Sequence, residues 1–211
     1  TAFSQATYDT MRDLEKDVEI YTVYQPSSQS SLRVQVDEVL AKYRTLSPHV
    51  TLSNIDPVSN PELVKKYAKD QAVSEGTIIV TNPEATRVKI IPPTDYVTTQ
   101  TSQYTGQAYT VFRAEMYVTS AILNAISETT PKVYFLSGHE EIGSANCSLL
   151  VKQLGLNNYD VADLKLSAGD VALEKGDTVI VVSPKTDLLD DEYAAMRDWL
   201  IAGGRLMVVY E

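Results

Sequence analysis

Residues 178–209 read TVIVVSPKTDLLDDEYAAMRDWLIAGGRLMVV, and this stretch decides the fold class. Its two ends, Thr178–Val182 and Leu206–Val209, are almost wholly apolar. Between them Asp187–Ile201 has the length and spacing of a helix, closed by Gly203-Gly204. A strand that is apolar on both faces has to be covered on both, which is the condition of a parallel sheet between helices. Working backwards, Val133–Leu136 (VYFL) is another short apolar strand. Ser148–Leu154 is a helix stopped by Gly155, and Tyr159–Leu166 reads as a strand. From residue 131 onward the chain therefore alternates strand and helix.

The first half is built differently. Val18–Tyr24 (VEIYTVY) alternates apolar and polar residues at period two, a strand signature. Leu32, Val36, Val39, Leu40 and Tyr43 share one face of a helix, and Ser47-Pro48 ends it. His49–Ile55 reads as a second strand. Asn60-Pro61 supplies an N-cap and a proline at the first position of the next helix. Thr77–Thr81 and Arg87–Ile91 flank Asn82-Pro83-Glu84-Ala85, a hairpin loop. Phe112–Ile126 carries Phe112, Met116, Val118, Thr119, Ile122, Leu123 and Ile126, the content of a long, well-buried helix. Residues 92–112 show no clean period and are expected to be irregular, and Ser127–Pro131 reads as a hinge.

Composition narrows the function. The chain has 211 residues, 44% hydrophobic and 22% charged, values of an ordered globular protein. Eighteen basic residues against twenty-eight acidic give a net charge of −10. No clustered Lys and Arg stripe suited to a phosphate backbone is visible in the sequence, so a nucleic-acid partner is not expected. One cysteine excludes an internal disulfide and any multi-thiolate zinc site. No apolar run approaches the ~20 residues of a membrane helix. Arg205–Glu211 reads as a buried strand cut at its end, so the chain is expected to be excised from a longer protein.

Seven segments carry a resemblance. They are VEIYTVY (Val18–Tyr24), SNIDPVSNPELVKKY (Ser53–Tyr67), GTIIV (Gly76–Val80), FRAEMYVTSAILNAI (Phe112–Ile126), PKVYFLSGHEE (Pro131–Glu141), SPKTDLLDDE (Ser183–Glu192) and WLIAGGRLMVV (Trp199–Val209). In that order, over nearly the whole chain, they resemble the GldG-like, gliding-motility-associated auxiliary proteins of ABC transporters. The resemblance implies an α/β chain: a thioredoxin-like domain over residues 1–130, then the start of a flavodoxin-like or class I glutamine-amidotransferase-like parallel sheet over 131–211. It also implies a soluble extracytoplasmic region at the bacterial cell membrane, held by a membrane tether in the parent protein and working beside an ABC permease and ATPase. No cofactor is implied.

The residues themselves offer little catalytic chemistry. A thioredoxin-like domain exchanges thiols through C-x-x-C at the start of the helix after its first strand. Here that stretch is Gln25–Ser31, without a thiol, and Ser74-Glu75-Gly76 stands where a thioredoxin has its cis proline. An amidotransferase-like sheet would place its nucleophile on the turn after Leu206–Val209, at or past Glu211. The one thiol, Cys147, lies at a helix start earlier in the chain and reads as a packing residue. Asp187, Asp190, Asp191 and Glu192 lack calcium-loop spacing and read as acids of a first helical turn. There is no phosphate-binding glycine loop, and no metal site is expected.

Two tracts remain as candidates for ligand or partner contact. His139, Glu140 and Glu141 follow a strand end, the place where open α/β sheets bind ligands; His139 could be paired with Cys147 as base and nucleophile, or with the two glutamates around a metal. Tyr96, Tyr104 and Tyr109 lie among Gln100, Gln103 and Gln107, and tyrosine gives contact area with a polar tip. Alanine at His139 or Tyr104, as at exposed positions generally, is expected to change stability by less than about 1 kcal/mol. The leading expectation is a non-catalytic interaction module of a transporter auxiliary protein. The alternatives are a module binding a small polar, saccharide-like ligand, and an amidotransferase-like hydrolase with its catalytic residues beyond Glu211.

Overall fold

The computed structural model describes residues 2–69, 71, 73–166 and 173–210. The chain is α/β and divides into two compact units, Thr1–Ser127 and Glu128–Glu211.

In the first unit, α1 (Gln5–Arg12) precedes β1 (Val18–Val23), α2 (Ser31–Leu46), β2 (Val50–Ile55), α3 (Pro61–Ala68), β3 (Ile78–Thr81) and β4 (Val88–Ile91). The sheet order is β2-β1-β3-β4. β1 and β2 are parallel, while β3 is antiparallel to both β1 and β4. That order and those directions are thioredoxin-like. Alternation in VEIYTV becomes burial of Val18, Ile20 and Val23. Ser30 caps α2 by accepting the Leu32 N–H. At the place of the missing C-x-x-C, Arg33 lies over the Tyr24 ring and donates to the Gln25 carbonyl. Asn60 makes no side-chain cap; instead the Asp56 carboxylate accepts the Val58 N–H at 3.0 Å.

The tract expected to be irregular is ordered. A short turn of helix, α4 (Pro93–Tyr96), leads into an antiparallel hairpin of β5 (Val97–Thr101) and β6 (Ala108–Phe112). Threonine, valine and tyrosine are good strand formers, but with polar residues on both faces they leave no apolar alternation to read. Phe112 therefore belongs to β6, and the following helix α5 runs from Ala114 to Ile126. Val118, Ala121, Ile122 and Ala125 bury its inner face, whereas Met116 and Leu123 are exposed, contrary to expectation. The core of this unit joins α1, α2 and α5 to β1, β3 and β4.

The second unit contains β7 (Lys132–Leu136), a 3₁₀ turn at Ser144–Asn146, α6 (Ser148–Leu156), β8 (Asp160–Leu164), β9 (Thr178–Val182), α7 (Asp190–Ile201) and β10 (Arg205–Val209). All pairs are parallel, in the order β10-β9-β7-β8, which is flavodoxin-like. Tyr134, Leu136, Leu164, Val179 and Val181 pack on one face against Met196 and Trp199 of α7. Val133, Phe135 and Ile180 pack on the other against Cys147, Val151 and Leu154. The helix-to-strand turn after α7 is tight: a Cβ on Gly204 would sit 2.1 Å from Trp199 Cε2. The strand expected to be buried is not. Every residue of β10 is exposed, because it forms the sheet edge. Among the described residues, no helix is long and apolar enough to cross a membrane.

Candidate functional site

The strand order of the second unit reverses between β7 and β9, and the crevice at the strand ends beside such a reversal is where open α/β sheets take ligands. The loop after β7 carries His139 to this point. Ser137 anchors that loop, its N–H and hydroxyl both donating to the Leu164 carbonyl. Gly138 turns it with φ +128°. The loop is then tied to the one after β9: Ile142 N–H donates to the Val182 carbonyl, and Lys185 N–H to the His139 carbonyl at 3.0 Å. These backbone bonds tie the two loops together beside the strand ends.

His139 is accordingly buried, not exposed, and its ring is held at both ends. Nε2 lies 2.8 Å from Glu192 Oε2 and Nδ1 lies 3.1 Å from Glu141 Oε1. Glu141 also accepts the His139 backbone N–H at 2.7 Å. Glu192 stands at the third position of α7 and reaches back to the Leu189 N–H at 2.9 Å, one half of a capping box. The three side chains are at most 9% exposed. Burial opposes protonation of the ring, but hydrogen bonds and charge from Glu192, then Glu141, outweigh it and raise the His139 pKa above the ordinary histidine value. Two carboxylates facing one ring need two N–H groups, which only the imidazolium supplies.

This geometry corrects the chemistry imagined for the loop. With both ring nitrogens spent on carboxylates, His139 is not the base of a pair with Cys147. Cys147 packs beside Val151 and Leu154 at the start of α6. Nor do the three side chains form a metal centre: among the described residues, no group of three or more His, Cys, Asp or Glu is arranged to hold a metal ion. Glu140 is exposed, in the left-handed region at φ +60°. Glu192 was not among the expected site residues. Its place in a first helical turn was legible, but its pairing with a residue 53 positions earlier had no local signal.

Beside the clamp lies a largely apolar cleft of about 400 Å³, walled by Leu136, Val181, Leu188, Met196, Leu206 and Val208, with His139 and Glu141 at one side. Two apolar groups stand open at its rim, Ile201 at 78% and Tyr210 at 75% exposure, beside Asp187 and Arg197. An apolar surface of this kind marks a place where another group docks.

The three tyrosines belong to the first unit and divide by role. Tyr96 is fully buried, its ring edge-on to Phe112 and its hydroxyl donating to the Gly76 carbonyl, so it is a packing residue. Tyr104 is wholly exposed at the tip of the β5–β6 hairpin, and Tyr109 is half-exposed with its hydroxyl donating to Gln100 Oε1. Residues 97–112 contain no charged side chain, so the hairpin is a neutral, amide- and hydroxyl-rich surface.

No curated protein matches this sequence. Residues 2–108, just over half of the chain, match the family described as a domain of unknown function (DUF7088), and the chain belongs to that family.

Proposed function

We propose that the chain is a non-catalytic interaction module, the extracytoplasmic region of an ABC transporter auxiliary protein that works beside a permease and an ATPase at the bacterial cell membrane. The ordered GldG-like segments support this reading, as does a thioredoxin-like sheet whose thiol position is taken by Ser and Arg33. The observation that carries it is the apolar surface around β10 and the end of α7. Leu206, Met207, Val208 and Val209 are each at least 36% exposed, beside Ile201 and the cleft. A segment of the permease covers this surface in the reading proposed. The test is co-purification of the cognate permease with wild type, Ile201→Glu and Val208→Glu. Loss of the permease from both variants, with unchanged melting, is expected; wild-type recovery with both variants would overturn the assignment.

A second reading, capture of a neutral saccharide, is favoured by one feature, the uncharged hairpin with Tyr104 and Tyr109 beside Gln100. Sugars stack on such rings and bond to amides. Titration of neutral oligosaccharides should then quench tyrosine fluorescence in wild type and not in Tyr104→Ala/Tyr109→Ala. No quenching in wild type would remove this reading.

A further inference from the structure

We infer that, in the chain free of any partner, the open edge of β10 pairs with the β10 of a second copy, antiparallel across a two-fold axis. The strand's backbone points to this. The Arg205 N–H donates to the Asp177 carbonyl at 3.1 Å, and the Val209 carbonyl accepts the Ser183 N–H at 2.8 Å. Both residues thus turn these groups toward β9, in an unbroken register from Arg205↔Thr178 to Val209↔Val182. In a parallel pair such residues alternate with ones whose N–H and C=O point the other way. Leu206 and Val208 therefore present both backbone groups to the open side of the sheet, with Tyr210 next in the alternation.

A bare edge of this kind invites another strand, and proteins blunt it with charge, proline or a bulge. The opposite edge of the same sheet is blunted in this way: β8 carries Asp160 and Asp163, both exposed. β10 has no such device. From Leu206 to Tyr210 there is no charged residue and no proline, and every side chain is at least 36% exposed. In a chain of net charge −10, an uncharged strand is where a second copy meets least repulsion.

The register follows from the same groups. With the axis through Val208, Leu206 of one copy lies opposite Tyr210 of the other, and each outward N–H meets an outward C=O. Leu206, Val208 and Tyr210 all line the cleft beside α7, so this pairing joins two clefts into one apolar face and covers both tyrosines. An axis through Met207 would set Tyr210 against Gly204, which offers no side chain. Charge agrees with the axis at Val208. In the sequence Glu211 stands six residues after Arg205, the spacing at which that register sets opposite charges across the pair. The inference does not rest on the permease reading: it concerns the free chain, and a permease segment taking the same edge would displace the second copy.

The experiment is sedimentation equilibrium of the whole chain, without permease, between about 1 and 100 μM, the range in which small interfaces associate. A closed monomer–dimer equilibrium is expected. Val208→Glu and Val208→Lys should each weaken it by ~10-fold or more, because like charges then meet at the axis. Mixed in equal amounts, the two variants should associate again as a heterodimer. Val208→Pro removes an outward N–H that the pairing with β9 does not use, and should leave a monomer whose circular dichroism is that of wild type. Should a charged variant fail to fold, the proline variant still decides. Leu149→Glu, on α6 at a position 81% exposed, should change the dimer less than ~2-fold, since a distant charge is screened. A monomer at every concentration, an open series of larger species, or Val208 variants that associate like wild type would overturn the pairing. So would failure of the folded Glu and Lys variants to associate when mixed. The permease reading is judged separately, by co-purification.

Discussion

His139 shows how far one residue's role depends on partners distant in sequence. In the string SGHEE it reads as an exposed loop residue, but Glu192 and Glu141 enclose it. Removing the ring leaves two buried carboxylates without a cation. His139→Ala should therefore cost about 3–5 kcal/mol, against the sub-kcal/mol change expected of an exposed position; chemical denaturation reads the difference directly. The pH dependence has a definite sign. The folded-state pKa is raised, so the clamp contributes its full stabilisation below the unfolded value of about 6.5 and loses it as pH rises through the folded value. The melting temperature should fall on the alkaline side of about pH 6.5, and His139→Gln should flatten that slope. A slope unchanged in the variant would show that another group titrates. Gly204 makes the same point about space. Trp199 occupies the position a Cβ would need, so Gly204→Ala should destabilise by about 1–3 kcal/mol through overpacking, whereas a melting curve superimposable on wild type would show that the turn yields freely.

Among the elements, what was legible in the sequence is what has a period. VEIYTVY, the α2 stripe ending in Tyr43, the β3–β4 hairpin around Asn82 and the apolar strands TVIVV and VYFL each became the element their pattern implies. Residues 97–112 did not announce themselves, because Thr, Gln and Tyr give no contrast between faces; only the register Val97↔Phe112 to Thr101↔Ala108 reveals the hairpin. Burial of Tyr96 was hidden for the same reason, since the residues covering it come from Gly76 and Phe112. The strand β10 erred the other way: its composition implies cover on both faces, and it stands at the sheet edge. A two-stranded hairpin is marginal in water unless something packs on it, and here only its base is half-buried, through Val97 and Phe112. Amide exchange should accordingly be fast from Gln100 to Ala108 and slow in β1 and β3. Tyr104→Ala should leave stability within about 0.5 kcal/mol, as for other exposed positions. Protection at the hairpin tip in the free chain would mean that other residues of the chain pack on it.

At the scale of the whole molecule, the two units are separate folding problems solved by different means. The first closes its core with α5, where Val118 and Ile122 have no solvent exposure, against β1 and β3. The second holds a parallel sheet between α6 and α7, with Val179 and Phe135 fully buried on its opposite faces. Parallel pairing is the more dependent of the two, because it relies on cover from both sides, and in this unit the edge strand lacks that cover. Its unfolding should therefore come first on heating, while the first unit persists. Substitution assigns the transitions. Ile122→Ala, which removes buried apolar volume, should cost about 2–5 kcal/mol and lower the upper transition. Val179→Ala should lower the other. Calorimetry on the two variants and wild type measures this, with each variant expected to move one peak and leave its neighbour in place. A single peak displaced equally by both substitutions would mean that the chain melts as one cooperative body, and the division into two units would then describe its architecture without describing its energetics.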